Sequence, residues 1–292
     1  MPKNSLNNYL HLHFIVFIWG FTAVLGALIS VDAIPLVWYR MLFAVVFILI
    51  YFIIKKKSLK TSPKGLLKFL FTGIIIALHW IAFFSAIKVA NVSITLIAMS
   101  TGALFTSLIE PLFFKRKLIL LELFFGLIVI AGLYLIFNVE SQYTLGIIYA
   151  LIASFLSALF TVLNGLYIKQ YEAKIITFYQ LLFGVGFISI FVLLTSDFSI
   201  QDFTLTNSDI FYLLILSSIC TAYAFVVSVK IMKYLTPYTV MLTVNLEPVY
   251  GIILAVLFFG EKEKMSPQFY IGAIVIIITV IINGILKNKK KV

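Results

Sequence analysis

TPYTVMLTVNLEPVYGIILAVLFF, residues 236–259, is an apolar run long enough to cross a bilayer, yet it carries Asn245 and Glu247 near its middle. A charged side chain at the centre of a membrane helix costs about 3 kcal/mol on insertion scales. Such a residue usually faces a cavity or a polar partner rather than lipid. Glu247 is therefore predicted to mark the floor of a substrate or proton site inside a helical bundle.

The rest of the chain is equally apolar. Hydrophobic residues make up 63% of the 292 residues and charged residues only 11%, with a mean hydropathy of +1.14, whereas soluble domains carry about 25% charged residues. The composition predicts an all-α polytopic membrane protein, because continuous runs of about 20 apolar residues favour helices over barrel strands. Ten spans, numbered 1–10 in chain order, are predicted at 9–29, 34–54, 66–87, 92–114, 118–137, 145–168, 175–195, 210–231, 237–259 and 268–286.

The net charge of +11 reflects the topology of these spans. With the N-terminus in the cytoplasm, all but four of the 22 basic residues fall in inner segments; the exceptions are Arg40, Lys88, Lys262 and Lys264. The outer segment 196–209 carries no basic residue and three aspartates: Asp197, Asp202 and Asp209. This asymmetry predicts an N-in/C-in orientation with anionic lipids at the cytoplasmic face, and it does not indicate a nucleic-acid partner.

The ten spans divide into two similar rounds of five. Three pairs of segments match: WYRMLFA (38–44) with FYQLLFG (178–184), FT (21–22) with FT (160–161) and, at an offset of 145, FFKRK (113–117) with FFGEK (258–262). Because five is an odd number, the second repeat is inverted relative to the first. Inverted repeats are typical of secondary transporters, which hold substrate near the bilayer midplane. We predict repeats at 9–138 and 145–286, followed by a basic cytoplasmic tail at 287–292.

Several motifs are characteristic in combination. They are WGFT (19–22), WYRMLFA (38–44), NLEPVY (245–250) and FGE (259–261). With these motifs the chain resembles the drug/metabolite transporter superfamily, specifically its ten-helix EamA-type members, over residues 9–286. The resemblance implies a carrier in the bacterial inner membrane that exports amino acids or related metabolites by alternating access. It also implies that spans 1–4 and 6–9 enclose a central cavity while spans 5 and 10 brace the outside.

The chain departs from this family at one position in the first repeat. Where such proteins often have a proline matching Pro248, this sequence has Gly102-Ala103, and an acidic-proline pair appears only later as Glu110-Pro111. We therefore expect spans 4 and 9 to contribute unequally to the site.

Glu247 lies about ten residues into span 9, or ~15 Å at 1.5 Å per residue, close to mid-membrane. Residues three or four apart share a helix face, so a polar stripe is predicted on the cavity side, while Asn245 points elsewhere and takes a packing or backbone role. The stripe consists of Thr236, Thr239, Thr243, Glu247 and Tyr250. Glu247 is interpreted as a proton acceptor or a ligand for a substrate amine. The alternative is a protonated packing residue.

Two further candidate site residues within the spans are ionisable. Arg40 suits a bidentate carboxylate and is a candidate for binding a substrate carboxylate or for pairing with Glu247, the alternative being snorkelling to headgroups. Its counterpart in the second repeat is the uncharged Gln180. His79, beside Trp80 in span 3, is a candidate proton relay, the alternative being a hydrogen bond to a neighbouring carbonyl.

Aromatic side chains that can stack on a solute complete the predicted site, although aromatic residues also populate membrane interfaces. The predicted substrate or proton site comprises Glu247, Thr243, Tyr250, Arg40, His79, Trp80, Tyr39, Tyr179, Gln180, Tyr223 and Trp19. Glu110 and Glu122, close to the Lys115–Lys117 cluster, are predicted to be structural.

Other classes of chemistry find little support. The sequence has no nucleotide-binding loop and no zinc-protease helix, and three dispersed histidines with one cysteine do not make a metal site. We predict no catalytic residue, metal or cofactor, and a small-molecule substrate. A proton-coupled secondary exporter is the favoured interpretation. The alternatives are an intramembrane enzyme acting on a lipid, a uniporter of the same fold without proton coupling, and a non-transporting scaffold or sensor.

Overall fold

The computed structural model describes residues 3–195 and 198–289, so Asp197 and the side chains of the predicted tail at 287–292 lie outside the described part. Within those ranges the chain forms helices and no strand. The α-helices are α1 Lys3–Leu28, α2 Ala33–Ile54, α3 Pro63–Val89, α4 Val92–Met99, α5 Gly102–Phe114, α6 Leu120–Val139, α7 Thr144–Tyr167, α8 Ala173–Leu194, α9 Asn207–Ser217, α10 Ala224–Ile231, α11 Pro237–Val244, α12 Glu247–Phe259 and α13 Pro267–Lys289.

The predicted spans coincide with these helices, and the all-α membrane architecture is confirmed. Nine segments of the described ranges are long and apolar enough to cross a membrane. The apolar part of α13, Pro267–Asn283, is shorter than the other nine. The count of ten spans and the N-in/C-in orientation therefore stay predictions.

Spans 4 and 9 are each broken into two helices at equivalent places. In span 4, α4 ends at Met99 and α5 begins at Gly102. In span 9, α11 ends at Val244 and α12 begins at Glu247, 145 residues further along the chain in each case. Pro248 lies at the start of α12, where its missing N–H costs nothing. The backbone of span 4 thus breaks at the place equivalent to the break in span 9, although span 4 has no proline there.

Glycine permits the closest helix contacts, as expected where small residues let membrane helices approach. A Cβ added to Gly20 of α1 would lie 2.7 Å from the Cβ of Tyr250, and one added to Gly251 would lie 3.3 Å from the Gly20 carbonyl oxygen. On the other side of the molecule, Gly132 of α6 and Gly272 of α13 face each other in the same way. These contacts pack α1 against α12 and α6 against α13.

Span 8 contains a π-helical segment, Ser218–Tyr223, between α9 and α10. The hydroxyl of Thr221 donates to the carbonyl oxygen of Leu216, five residues earlier, at 2.7 Å. Segments of this kind are rare and often occur at functional sites. This one places Cys220 and Thr221 on the interior of the bundle, where both are buried.

The two broken spans cap each other at opposite ends. The Glu263 carboxylate, just after α12, accepts hydrogen bonds from the backbone N–H groups of Val92 and Ser93 at 3.0 and 2.9 Å. The Glu110 carboxylate, near the end of α5, accepts one from the N–H of Tyr238 at 2.8 Å. Each carboxylate thus satisfies helix-terminal donors of the other broken span, an arrangement that the helix dipole favours.

Glu110 and Glu122 share one cationic partner. Nε of Arg116 lies 3.2 Å from Oε1 of Glu110, and Nη2 lies 3.2 Å from Oε2 of Glu122. The structural role predicted for both carboxylates is confirmed, because each is buried in a specific hydrogen-bonded pair.

Candidate functional site

A cavity of about 80 Å³ lies inside the bundle. Its lining comes from α1–α4, α7, α10–α12 and the π-helical segment: Trp19, Thr22, Arg40, His79, Trp80, Phe83, Met99, Ser157, Phe160, Thr161, Cys220, Phe225, Ser228, Met232, Val240, Met241, Val244 and Glu247. Among the described residues, none from α6, α8 or α13 lines it. Five predicted site residues therefore meet here: Glu247, Arg40, His79, Trp80 and Trp19.

Glu247 is the first residue of α12, directly after the break in span 9. The break matters because α12 presents its N-terminal end, with its positive dipole, to this carboxylate. Among the described residues the Glu247 carboxylate makes no hydrogen bond and no ion pair within 4 Å, although it lines the cavity. It is thus an acidic group inside the bundle with acceptor capacity directed at the cavity.

Arg40 lines the same cavity and is held at a fixed place, with 2% of its surface exposed. Its Nε donates to the hydroxyl of Thr221 at 2.7 Å, and its guanidinium carbon lies 4.1 Å from the ring centroid of Trp80. Its buried Nη1 has no hydrogen-bond partner among the described residues. Arg40 and Glu247 therefore line one cavity without forming an ion pair, and the guanidinium keeps unused donor capacity.

His79 of α3 is buried beside the cavity. Its Nδ1 lies 2.7 Å from the carbonyl oxygen of Ala153, and because a carbonyl only accepts, this contact requires the proton on Nδ1 and leaves Nε2 as an acceptor. The ring stacks on Phe83 at 6.2 Å and meets the edge of Phe160 at 5.2 Å. This geometry fits the hydrogen-bonding alternative for Nδ1 and leaves one ring nitrogen for chemistry in the cavity.

Aromatic rings form the apolar wall. Trp19 is anchored by its indole N–H, which donates to the carbonyl oxygen of Cys220 at 3.0 Å. Phe225 meets the ring of Trp80 at 5.9 Å and the ring of Phe160 at 5.8 Å, both edge-on. The wall is thus a set of interlocked aromatic contacts that can accept the apolar part of a solute.

Of the five residues of the predicted polar stripe of span 9, Glu247 lines the cavity and the other four do not. Thr243 instead donates to the carbonyl oxygen of Thr239 at 3.0 Å, and Tyr250 packs edge-on against Phe17 at 5.5 Å. The wall on this side consists of Val240, Met241 and Val244, followed by Glu247. Val240, Val244 and Glu247 follow the i, i+4, i+7 spacing of one helix face, so the cavity wall is the face that adjoins the predicted stripe and shares Glu247 with it.

Tyr39 and Tyr179 lie at the two ends of the bundle rather than in the cavity. The Tyr39 hydroxyl donates to the carbonyl oxygen of Phe203 at 2.8 Å, and the Tyr179 hydroxyl donates to that of Leu59 at 2.9 Å. Both accepting residues belong to connecting segments, so each tyrosine holds a connecting segment against the helix bundle.

Gln180 and Tyr223 are also placed outside the cavity. The side-chain amide of Gln180 donates to Oδ1 of Asn164 at 2.6 Å, in a fully buried contact between α7 and α8. The Tyr223 hydroxyl lies 2.8 Å from Nε2 of His11. The predicted aromatic site is therefore reduced to Trp19 and Trp80.

Sequence reasoning missed several small polar lining residues, notably Thr22, Ser157, Thr161 and Ser228. For two of them the sequence contains an indication of a shared role. Thr22 and Thr161 are the paired threonines of the FT match between the repeats, and the structure brings both to the same cavity. Internal repeats that enclose a midplane site place equivalent residues on its two sides. Among the described residues, no group of three His, Cys, Asp or Glu side chains is arranged to hold a metal ion.

Comparison with known proteins agrees with this architecture. The sequence profile of the EamA-like transporter family matches the chain twice, at residues 9–138 and 144–285. The search of curated proteins finds no match. The fold is similar to that of 26 chains of solved structures. One of these, described only as "Crystal structure of protein", superposes with a TM-score of 0.71 at 14% sequence identity, covering 96% of this chain and 98% of its own.

Proposed function

The chain belongs to the EamA-like transporter family, and from that membership we propose that it is a secondary active transporter that exports a small zwitterionic metabolite. An amino acid or a related solute with an apolar side chain fits best. The chain is a multi-pass membrane protein, and its proposed location is the bacterial inner membrane with the N-terminus in the cytoplasm.

One observation carries this proposal. Arg40 and Glu247 place a guanidinium and a carboxyl group in the same cavity, and the two groups form no ion pair with each other. Charged groups inside a membrane protein are costly unless they have partners. A solute with a carboxylate for Nη1 of Arg40 and an amine for Glu247 supplies both partners at once. The aromatic rings that line the same cavity accommodate an apolar side chain.

Proton exchange is the proposed driving step. When the solute leaves toward the outside, its amine no longer neutralises Glu247, and a proton taken from the outer solution replaces it. The protonated carrier returns to the inward-facing state and releases the proton to the cytoplasm. The two inverted repeats enclose one cavity. In this proposal, each repeat takes in the outward-facing state the conformation that the other repeat has in the inward-facing state.

The experiment uses purified protein in liposomes loaded with the common amino acids, under an imposed pH gradient, with the released solutes identified by mass spectrometry. Wild-type protein is expected to release a subset with apolar side chains, faster when the outside is acidic. Glu247→Gln is expected to lose the response to the gradient. Glu261→Gln, an exposed carboxylate beyond the end of α12, is the matched control and is expected to keep it.

Two results would contradict parts of the proposal. A full response to the gradient by Glu247→Gln would exclude this residue from proton coupling and favour a uniporter. Failure of the wild-type protein to move any amino acid, while moving solutes that lack the amine or the carboxylate, would overturn the substrate class.

A further inference from the structure

One end of the bundle is built from the ends of four helices that surround the cavity. α1 and α3 end there, while α2 and α9 begin there, and the short connection 29–32 joins α1 to α2. The lining residues Thr22, Arg40 and Phe83 lie about two helical turns, or ~10 Å, from those helix ends. With the N-terminus in the cytoplasm, as proposed above, this is the outer end of the bundle.

An apolar layer fills the space between this end and the cavity. Ile29 and Leu213 are fully buried there in one hydrophobic cluster. Gly26 of α1 meets Phe84 of α3 so closely that a Cβ added to Gly26 would lie 2.1 Å from Cε1 of the ring. The centroid of the same ring lies 5.4 Å from the guanidinium carbon of Arg40. Phe84 therefore packs between the cavity and the outer end and closes the path between them.

The cavity extends much further toward the opposite end. Its lining includes Met232, the residue directly after α10, and Val240, in the first turn of α11. Both residues lie within about one helical turn of the proposed inner end. The structure is therefore closed by a thick layer at the proposed outer end and by a thin one at the inner end.

Two charged side chains fasten the closed outer end. The Asp209 carboxylate of α9 accepts hydrogen bonds from the N–H of Ser30 at 2.6 Å and from the Ser30 hydroxyl at 2.7 Å. Lys88, in the last turn of α3, donates to the carbonyl oxygen of Ile29. The connection 29–32 is thus held from the first repeat by α3 and from the second repeat by α9.

We propose that Asp209 is a gating residue of the transport cycle, whose bonds to Ser30 hold the outer end closed and break when the cavity opens outward. This inference rests on the proposed transport function. The bonds are charge-assisted and therefore strong while the gate is closed. Ser30 is exposed, so water can replace its partner on opening. Asp209 keeps its bonds from the N–H and hydroxyl of Thr206, at 3.0 and 2.7 Å, so opening does not strand the carboxylate.

The first test uses Cys220, which is the one cysteine in the sequence and lines the cavity. A membrane-impermeant maleimide added to intact cells reaches this thiol through an open outer end. Asp209→Asn weakens the bonds to Ser30 and is expected to raise the labelling rate about tenfold or more. Asp202→Asn is the matched control, because Asp202 bonds to Ser199 within its own connecting segment. It is expected to label like the wild type.

The second test locks the gate. In a Cys220→Ala background, Ser30→Cys and Asp209→Cys are joined by a short bis-methanethiosulfonate cross-linker, and intact-protein mass spectrometry confirms the reaction. Transport in liposomes is expected to be lost on cross-linking and restored by dithiothreitol. Ser93→Cys with Glu263→Cys is the control pair, because its contact joins the two broken spans at the same end. Each pair is compared before and after cross-linking, and the control pair is expected to keep its transport rate.

Equal labelling of Cys220 in the wild type and Asp209→Asn would overturn the gate. Undiminished transport by the cross-linked pair at Ser30 and Asp209 would do the same, and loss of transport in both cross-linked pairs would remove the specific role of this contact. The labelling requires no knowledge of the solute. Faster labelling of Asp209→Asn in a protein that moves no amino acid would therefore support the gate and overturn only the proposed substrate class.

Discussion

The side-chain amide of Asn245 donates a hydrogen bond to the backbone carbonyl oxygen of Ser100 at 2.7 Å, so the breaks of spans 4 and 9 touch each other. Together with the caps from Glu263 and Glu110, this contact fastens the two broken spans at both ends and in the middle. Because spans 4 and 9 are hydrogen-bonded to each other at three places along their length, we expect them to move as one rigid unit. The other spans around the cavity would then rearrange about it during transport.

Replacing Asn245 with leucine removes the contact between the breaks and leaves the Ser100 carbonyl without that donor. Loss of one partner of a buried hydrogen bond costs about 1–3 kcal/mol, so Asn245→Leu is expected to lower the unfolding temperature measured in detergent. Asn138→Leu, an exposed asparagine on α6, serves as the control. Equal stability of Asn245→Leu and the wild type would show that the contact contributes nothing.

Glu263→Gln tests the cap at the start of span 4. The Glu263 carboxylate accepts from Val92 N through one oxygen and from Ser93 N and the Ser93 hydroxyl through the other. Glutamine replaces one of these oxygens with a donor NH2 group and removes the negative charge that strengthens the bonds. A loss of about 1–2 kcal/mol in stability is expected. The measurement is thermal unfolding followed by circular dichroism. Glu261→Gln on the same turn is the comparison, and an equal loss from both variants would refute a specific cap.

Arg40→Lys keeps the positive charge but cannot bind Thr221 and a solute carboxylate together as a guanidinium does. Loss of charge-assisted hydrogen bonds of about 1.5–3 kcal/mol predicts a rise in KM of about tenfold or more in liposome transport. Thr221→Val, which removes the partner of Nε, is expected to cause a smaller rise. Unchanged KM in Arg40→Lys would show that the guanidinium does not bind the solute.

Cys220 provides a native reporter of the cavity, because it is the one cysteine in the sequence and it lines the cavity wall. A membrane-permeant maleimide is expected to label the wild-type protein slowly, since the thiol is 2% exposed. A saturating transported solute should slow the labelling further, and Cys220→Ala should abolish it. Mass spectrometry of the intact protein measures the extent. Labelling that is insensitive to every transported solute would place the solute elsewhere.

The spans were predictable from sequence because crossing a bilayer demands about 20 apolar residues with internal hydrogen bonding. The apolar runs of this chain have that length and are separated by polar segments. The break at Ser100 was not predictable in the same way. No proline or charged residue interrupts the run between Asn91 and Gly102, so only comparison with the Glu247-Pro248 position of the other repeat indicates it.

The site was predictable where the criterion was a charged side chain within an apolar span. Arg40 and Glu247 stand out because charged side chains within spans need an explanation, and both line the cavity. Which flank of Glu247 faces the cavity was not predictable, because the residues three and four positions before it, Val244 and Thr243, both share its helix face. For that reason Thr243 and Tyr250 were expected at the cavity in place of Val240 and Val244.

The reciprocal capping of the broken spans also has a consequence for biosynthesis. The N-terminal amides of α4 are satisfied by Glu263, which is translated 171 residues after Val92. While the ribosome is still making the second half, those amides lack the Glu263 carboxylate as a partner. The first half can thus insert early, but span 4 reaches its final state only when almost the whole chain has left the translocon.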